Sequence, residues 1–375
     1  MIANGTREER GRMIAEKSNQ IMRLDDRFYK VASQSGNGMY DVVKKKESSG
    51  WICDCPDHVH RNVQCKHIWA VQFSLRLREQ VQARVIEPIT NIEACLFCKS
   101  EQIIKKDGLR HNKYGDIQKF FCKACGKWFT VNFGFERMKH SPQGITTAMQ
   151  LYFSGESLRN TARSLRLLGV QVSHKTVFYW IKRYTELMEK YLDKITPQVS
   201  DTWRADELFL KVKGNMKYLY ALMDDQTRFW IAQEVADTKF TADLRPLFQK
   251  GKEIAEKNPK TLITDGAPNF HEAYEKEFHT QRLETRTEHI RDIRLDGTVH
   301  NNKMERMNGE IRDRERVMRT LERADSPIIE GMRLYHNFVK PHMGLKGKTP
   351  AEAAGIRVEG KDKWLTLIQN ASKAN

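Results

Sequence analysis

Three consecutive stretches repeat their apolar positions every three to four residues. They are 146–154 (TTAMQLYFS), 157–168 (SLRNTARSLRLL) and 174–192, and the spacing predicts three helices. Gly155 and Gly169 break the pattern between them, and Ser173 suits the N-cap of the third. On that third helix Val177, Trp180, Ile181, Tyr184, Met188 and Tyr191 share one stripe, leaving His174, Lys175, Thr176, Tyr179, Lys182 and Arg183 facing out. From about residue 199 the period shortens. TWRADELFLKVKG (202–214) alternates and MKYLYALMDDQTRFWIAQEV (216–235) follows it, which predicts a strand and a hairpin turning at Asp224, Asp225 and Gln226. In TLITDGAPNF (261–270) a short apolar and β-branched run leads into Asp265, then Gly266, Pro268 and a helix. NNKMERMNGEIRDRERVMRTL (301–321) predicts one long helix.

These patterns divide the chain into a charged helix (1–25), a strand-rich block (26–88), a second short block (89–135), the three helices (136–195), an α/β block (196–357) and a polar tail (358–375). The tail is expected to fray, with Trp364, Leu365, Leu367 and Ile368 able to form one short docked helix. We find no internal repeat. The whole is a multidomain α/β chain.

Charge narrows the partners. Of 375 residues, 64 are Lys or Arg against 48 Asp or Glu, a formal net charge of +16. Such an excess attracts polyanions, nucleic acid first. The three helices, with a basic outer face on the third, then fit a DNA reader whose recognition helix enters the major groove; a small linker bundle is the alternative. No apolar run is long enough to span a bilayer, and residues 1–25 lack the apolar stretch of a signal peptide. A cytoplasmic, nucleoid-associated, unsecreted protein is expected.

The seven cysteines fall in tight pairs, a pattern of metal ligands rather than of disulfides. Cys53-x-Cys55 is followed by Cys65-x-His67, three thiolates and an imidazole for one tetrahedral Zn²⁺. This spacing resembles the SWIM zinc finger. Cys95-x-x-Cys98 and Cys122-x-x-Cys125 are the paired knuckles of a four-cysteine zinc ribbon. Together they use every cysteine. Four protein ligands leave no place for substrate, so both zinc ions are expected to be structural. Phe120, Phe121, Trp128 and Phe129 are expected to pack beside the metal, with base stacking as the alternative.

The chemistry is expected among carboxylates. Asp206 lies inside a strand, where an unpaired charge is unfavourable without a partner or a metal. Asp265 ends a buried strand, a common place for site residues. On the long helix, Arg312 and Arg316 lie within about 20° of Glu305 at 100° per residue, while Met304, Met307, Ile311, Met318 and Leu321 gather on an apolar seam. One carboxylate followed by guanidiniums suits a metal ligand beside a phosphate track.

In their order, Trp203 with Asp206-Glu207, Thr264-Asp265-Gly266, and Asn301-Asn302 with Glu305-Arg306 and Asn308 resemble the DDE transposase and retroviral-integrase superfamily. Tyr335-His336-Asn337, Lys340-Pro341-His342 and Lys348–Glu352 resemble its C-terminal stretch. The resemblance covers about 199–355. It implies a ribonuclease-H-like core with a mixed five-stranded sheet and helices on both faces, preceded by the zinc modules and the helix-turn-helix. It also implies Asp206, Asp265 and Glu305 as ligands of two Mg²⁺ (or Mn²⁺) ions. The implied reaction is phosphoryl transfer on double-stranded DNA, with water nicking the element end and the freed 3′-hydroxyl attacking target DNA. A homodimer or larger synapse is implied because two ends must be joined. Two other readings are a transposase-derived DNA-binding regulator that no longer cuts, and a nuclease of the same fold. Glu207 and Glu310 are alternative carboxylates; a regular strand turns Glu207 away from Asp206.

Overall fold

A computed structural model describes residues 6–15, 20–23, 27–34, 36, 38–45, 50–81, 85–89, 92, 94–101, 104–112, 115–130, 132–281, 286–291, 302–318, 321 and 326–374. In chain order the first elements are α1 (Arg7–Ala15), β1 (Ile21–Arg23), β2 (Phe28–Ala32), β3 (Met39–Lys44), β4 (Trp51–Cys53), α2 (Pro56–Arg61), α3 (Lys66–Val81) and β5 (Val85–Ile86). Next come β6 (Ile104–Asn112), β7 (Gly115–Cys122), β8 (Trp128–Thr130), α4 (Pro142–Phe153), α5 (Leu158–Leu167) and α6 (His174–Leu192). The α/β block supplies β9 (Thr202–Val212), β10 (Asn215–Asp224), β11 (Trp230–Ala236), α7 (Thr241–Ala255), β12 (Thr261–Ile263), α8 (Pro268–Glu277), β13 (Glu288–Ile290) and α9 (Asn302–Met318). The chain ends with α10 (Pro327–Leu334), α11 (Pro350–Ala353), β14 (Arg357–Val358) and α12 (Lys363–Ala374).

Two compact units form. The first comprises Met1–Ala83, Asp193–Ser326 and Pro341–Ile356. Its main sheet has the order β11-β10-β9-β12-β13. β9, β10 and β11 are antiparallel, whereas β12 runs parallel to both β9 and β13. This is the mixed five-stranded sheet expected of a ribonuclease-H-like core. The central strands are buried on both faces, as the unbroken burial of Leu219–Asp224 requires. One face carries Trp203 and Tyr220, packed against Phe278 and Phe270 of the α8 region. The opposite face carries Arg204 and Asp206 and meets α9. Asp206 and Glu207 therefore point to opposite sides of the sheet, and Glu207 takes Lys239 as its partner.

The same unit holds the N-terminal module, an antiparallel sheet in the order β1-β2-β3-β4. Tyr29, Val31 and Val42 bury against Cys53, Cys55, Cys65, Ile68 and Val71. The charged helix expected over 1–25 is shorter: α1 ends at Ala15, and Ile21–Arg23 joins the sheet opposite Val31, Lys30 and Tyr29.

The second unit comprises Arg84–Leu192, Pro327–Lys340 and Arg357–Asn375. Serine side chains cap its three consecutive helices: Ser141, Ser157 and Ser173 accept from the backbone N–H of Gly144, Asn160 and Thr176 at 3.1, 3.1 and 3.2 Å. The expected stripe of α6, from Val177 to Tyr191, is buried throughout. One segment departs from expectation. Pro327–Lys340 falls within the expected 196–357 block, but α10 is buried on every side from Ile328 to Leu334 and packs on α6. A Cβ at Gly331 would stand 2.2 Å from the Phe153 ring, so only glycine lets these helices approach. The tail forms the docked helix rather than fraying: α12 buries Trp364, Leu367, Ile368 and Ala371, and its Trp364 indole donates to Gln150 at 3.0 Å. Its short apolar stripe finds a complementary surface on α4 and α6, which composition alone does not reveal. No helix among the described residues is long and apolar enough to cross a membrane.

Candidate active site and metal-binding clusters

Two cysteine clusters converge as their spacing predicts. The ligand atoms of Cys53, Cys55, Cys65 and His67 all lie within 4.8 Å of one another and all four residues are buried. Cys53 ends β4, Cys55 precedes α2, and Cys65 and His67 straddle the start of α3. His67 turns Nδ1 toward the sulfurs, 3.8 Å from Cys53 and 4.0 Å from Cys65, and its ring lies 4.6 Å from that of Tyr40. A hydrogen bond from Cys53 pulls the Cys65 thiol down to about 3, while the same pairing pushes Cys53 up. The cluster thus favours ionisation of one sulfur, and the thiolate is the form that ligates a metal.

Cys95, Cys98, Cys122 and Cys125 form the second group within the same distance. Their knuckles are held by turns in which Lys99 N–H donates to Cys95 O and Gly126 N–H to Cys122 O, each at 2.9 Å. Phe120 and Phe129 are buried and stack at 5.7 Å, but Trp128 is 53% exposed beside Phe121. Two of the four expected packing aromatics therefore form the core, and one lies largely in solvent. Both donor sets have the chemistry and closure of a structural zinc site.

The carboxylates are arranged otherwise. Asp206 lies in the middle of β9, and Asp265 stands two residues past the end of β12, the strand paired with β9. Asp206 is half-buried. Its Oδ1 accepts from the Glu207 N–H at 2.9 Å and its Oδ2 from the Asn308 amide of α9 at 2.9 Å. Burial first, and then the charge of Asp265, pushes Asp206 up to about 6. Asp265 is exposed, and its Oδ1 accepts from the Ala267 N–H at 3.1 Å. Its turn is closed by Gly266 at φ +83°, where a Cβ would meet the Arg291 carbonyl at 2.4 Å.

Glu305 is exposed in the first turn of α9. The helix is fixed to the sheet on either side of it. Lys303 donates to the Asp225 carboxylate at 2.9 Å, and Asn308 donates to Asp206. Asp225 also takes Arg204; burial opposes its ionisation, but Lys303 and Arg204 together hold it below the usual range. Met304, Met307 and Ile311 are buried as the expected seam, together with Asn308 and Arg314. Arg312 and Arg316 are exposed, as is Glu305. Among the described residues the groups of three or more possible ligands within 4.8 Å are the two cysteine clusters, so Asp206, Asp265 and Glu305 do not close into one.

On α6, His174, Lys175, Tyr179, Lys182 and Arg183 are exposed as expected. Thr176 is half-buried instead, because its hydroxyl pairs with the capping Ser173 at 3.0 Å. Lys303 and Arg204 have no role in the sequence pattern, while Asp225 is expected only at the hairpin turn and Asn308 only within the third resembling segment. Asn308 carried a signal: it is a polar side chain on the apolar seam, one turn from Glu305.

Comparison with known proteins adds to this geometry. Residues 200–342 match the family model described as a DDE domain. The transposase for the insertion sequence-like element IS431mec of Staphylococcus aureus is 30% identical over 130 residues. These are 33% of this chain and 55% of that protein. The transposase for insertion sequence element IS257 in transposon Tn4003 of the same species matches to the same extent. The chain thus spans about half the length of the curated relatives it matches. Among solved structures, the HTLV-2 integrase catalytic core domain in complex with magnesium aligns with a TM-score of 0.31 at 17% identity, over 42% of this chain and 97% of that one. A simian T-cell lymphotropic virus intasome aligns with a TM-score of 0.32 at 12% identity, over 54% and 72%.

Proposed function

We propose that this chain, whose residues 200–342 form a DDE domain, is a DNA transposase that cleaves element ends and joins them to target DNA. The observation that supports the reading is that α9, the helix of Glu305, is tied to the sheet that carries Asp206 by Asn308 and Lys303, while the charge of Asp265, just past β12, is felt at Asp206. Asp206, Asp265 and Glu305 would hold the two divalent ions, Mg²⁺ or Mn²⁺. The donor set fits: all oxygen, anionic, and with Asp206 raised by burial and by Asp265 so that a cation relieves the pair. When bound, such ions activate the attacking oxygen and stabilise the leaving one.

The remaining roles belong to the chain's own side chains. Asn308 orients the Asp206 carboxylate through its amide. Arg312 and Arg316, exposed on the helix face of Glu305, steady the DNA backbone beside the scissile phosphate. The two cysteine clusters hold one structural Zn²⁺ each. The three serine-capped helices act as a helix-turn-helix, with His174, Lys175, Thr176, Tyr179, Lys182 and Arg183 of α6 toward the element end. The active assembly is a dimer or larger, since two ends must be joined, and it works on nucleoid DNA in the cytoplasm.

The test places the DNA flanking this gene on a donor plasmid and counts integrations into a second plasmid in Mg²⁺. Wild type is expected to join ends and Glu305→Gln to fail. Equal joining by both would remove Glu305 and turn attention to Glu310. No joining by either, with specific binding retained, would leave a DNA-binding regulator.

A further inference from the structure

Behind Asp265 lies a second row of residues that the reaction itself does not use. Thr264, fully buried, directly precedes Asp265. Its Oγ1 accepts from the Gly266 N–H at 3.3 Å, so the hydroxyl spans the whole Thr264–Asp265–Gly266 turn. The same Oγ1 stands 3.0 Å from Nε2 of His289, on the neighbouring strand β13. The backbone clamps this contact further, since Thr264 N–H donates to Ile290 O at 3.1 Å and Gly266 abuts Arg291 O.

We propose that His289 is a positioning residue: as a neutral imidazole it accepts the Thr264 hydroxyl proton at Nε2 and thereby fixes the turn that aims the Asp265 carboxylate at its metal. This rests on the reading of Asp265 as a metal ligand. Thr264 Oγ1 takes the Gly266 N–H on one lone pair, and its single hydrogen points to Nε2 in the tautomer that carries the ring proton on Nδ1. The surroundings keep the ring uncharged: burial first, then His271 and Arg291, lower His289 to about 4. Tyr274 at 4.6 Å and His271 at 5.9 Å, ring to ring, hold the imidazole in place. The contact to Thr264 is the hydrogen bond that ring makes among the described residues, and its Nδ1 is buried without one. A side chain engaged only toward a ligand-bearing turn is what a metal site needs behind its first row of ligands.

The experiment measures Mn²⁺ binding to the full, zinc-loaded chain by electron paramagnetic resonance, so that no activity is needed. It compares wild type with His289→Gln, His289→Asn, His289→Leu and Asp265→Asn, and thermal unfolding without Mn²⁺ is recorded for each. Glutamine carries an oxygen near the place of Nε2, whereas asparagine reaches only as far as Nδ1. His289→Leu and His289→Asn are expected to weaken Mn²⁺ binding about tenfold, and His289→Gln to stay within about twofold of wild type. A purely structural role would lower the unfolding temperature of all three His289 variants and leave the affinity of the folded fraction unchanged; that result overturns the proposal. Equal weakening by Gln and Leu overturns it as well. If Asp265→Asn binds Mn²⁺ like wild type, the ligand assignment itself fails, and the inference falls with it.

Discussion

The cysteine clusters and the carboxylate site hold their ligands in opposite ways. In each cluster four ligand atoms already lie within 4.8 Å, and in the first all four residues are buried. Asp206, Asp265 and Glu305 stay apart, two of them exposed and the third raised by burial. A thiolate set closed on all sides stabilises a fold but leaves no open coordination position for chemistry. Burial makes the Asp206 carboxylate harder to ionise, so its charge works against the fold that carries it. The difference separates a donor set suited to building a fold around an ion from one suited to holding an ion only for chemistry.

The largest effects should come from breaking closure. Cys65→Ser and Cys122→Ser each remove one ligand of a structural site, and structural zinc contributes about 10–16 kcal/mol to small modules. We expect the variant module to unfold and release one of two zinc equivalents, read by a colorimetric zinc assay and by hydrogen exchange of α3 or β7. Retention of both equivalents in either variant would refute the four-ligand assignment.

The opposite sign is expected at the carboxylates. Asp206 rises from the usual 3.8 to about 6 on folding. Its ionisation is therefore harder in the folded chain, so this residue favours folding below pH 4 and that contribution is lost as pH rises through about 6. Asp206→Asn should then stabilise the metal-free protein at pH 7 by about 1–3 kcal/mol and make no difference at pH 3.5. Mg²⁺ should raise the unfolding temperature of wild type and not of the variant. Chemical denaturation across pH 3.5–7 decides it, and a destabilised variant at pH 7 would show that Asp206 is held as a favourable anion.

What could be read in advance divides along the same line. Ligands two or three residues apart, as in Cys95-x-x-Cys98, are brought together by a local turn, so spacing alone revealed both clusters. The stripe of α6 was legible for a similar reason, because Val177 to Tyr191 share one face of one helix. The carboxylates were placed by resemblance, and their strands and helix formed as expected, but what orients them lies across the sheet. Asn308 reaches Asp206 from 102 residues away, Lys303 reaches Asp225 from 78, and His289 meets Thr264 from 25. Such pairings depend on strand order and helix docking, which no local period encodes. The tail reads either as frayed or as one docked helix, because Trp364 and Leu367 look isolated until α4 and α6 supply a surface.

Asn308→Ala tests one of those distant pairings at smaller scale. Removing a hydrogen bond to a carboxylate should change stability by about 1 kcal/mol. Asp206 should rise further, since the Asn308 amide favours its charged form. The Mg²⁺ midpoint for strand joining should therefore increase, and more at pH 6 than at pH 8. An unchanged midpoint at both would mean that Asn308 only packs α9 on β9.

The smallest effects should separate the two basic faces. Arg312 is exposed on α9, the helix of Glu305, whereas Lys182 and Tyr179 are exposed on α6. A side chain that touches only phosphate weakens all sequences alike and lowers the slope of log affinity against log salt by about 1. One that reads a base edge relaxes preference at one position and leaves the slope nearly unchanged. Arg312→Ala should thus weaken flank and random DNA equally, by a few-fold. Tyr179→Ala should narrow the gap between flank and random DNA, and Lys182→Ala should reduce the slope as Arg312→Ala does. Fluorescence anisotropy over a range of salt concentrations measures both quantities. If Tyr179→Ala lowered only the slope, α6 would be gripping the backbone, and the reading of element ends would have to come from the exposed side of the ribbon, where Trp128 stands.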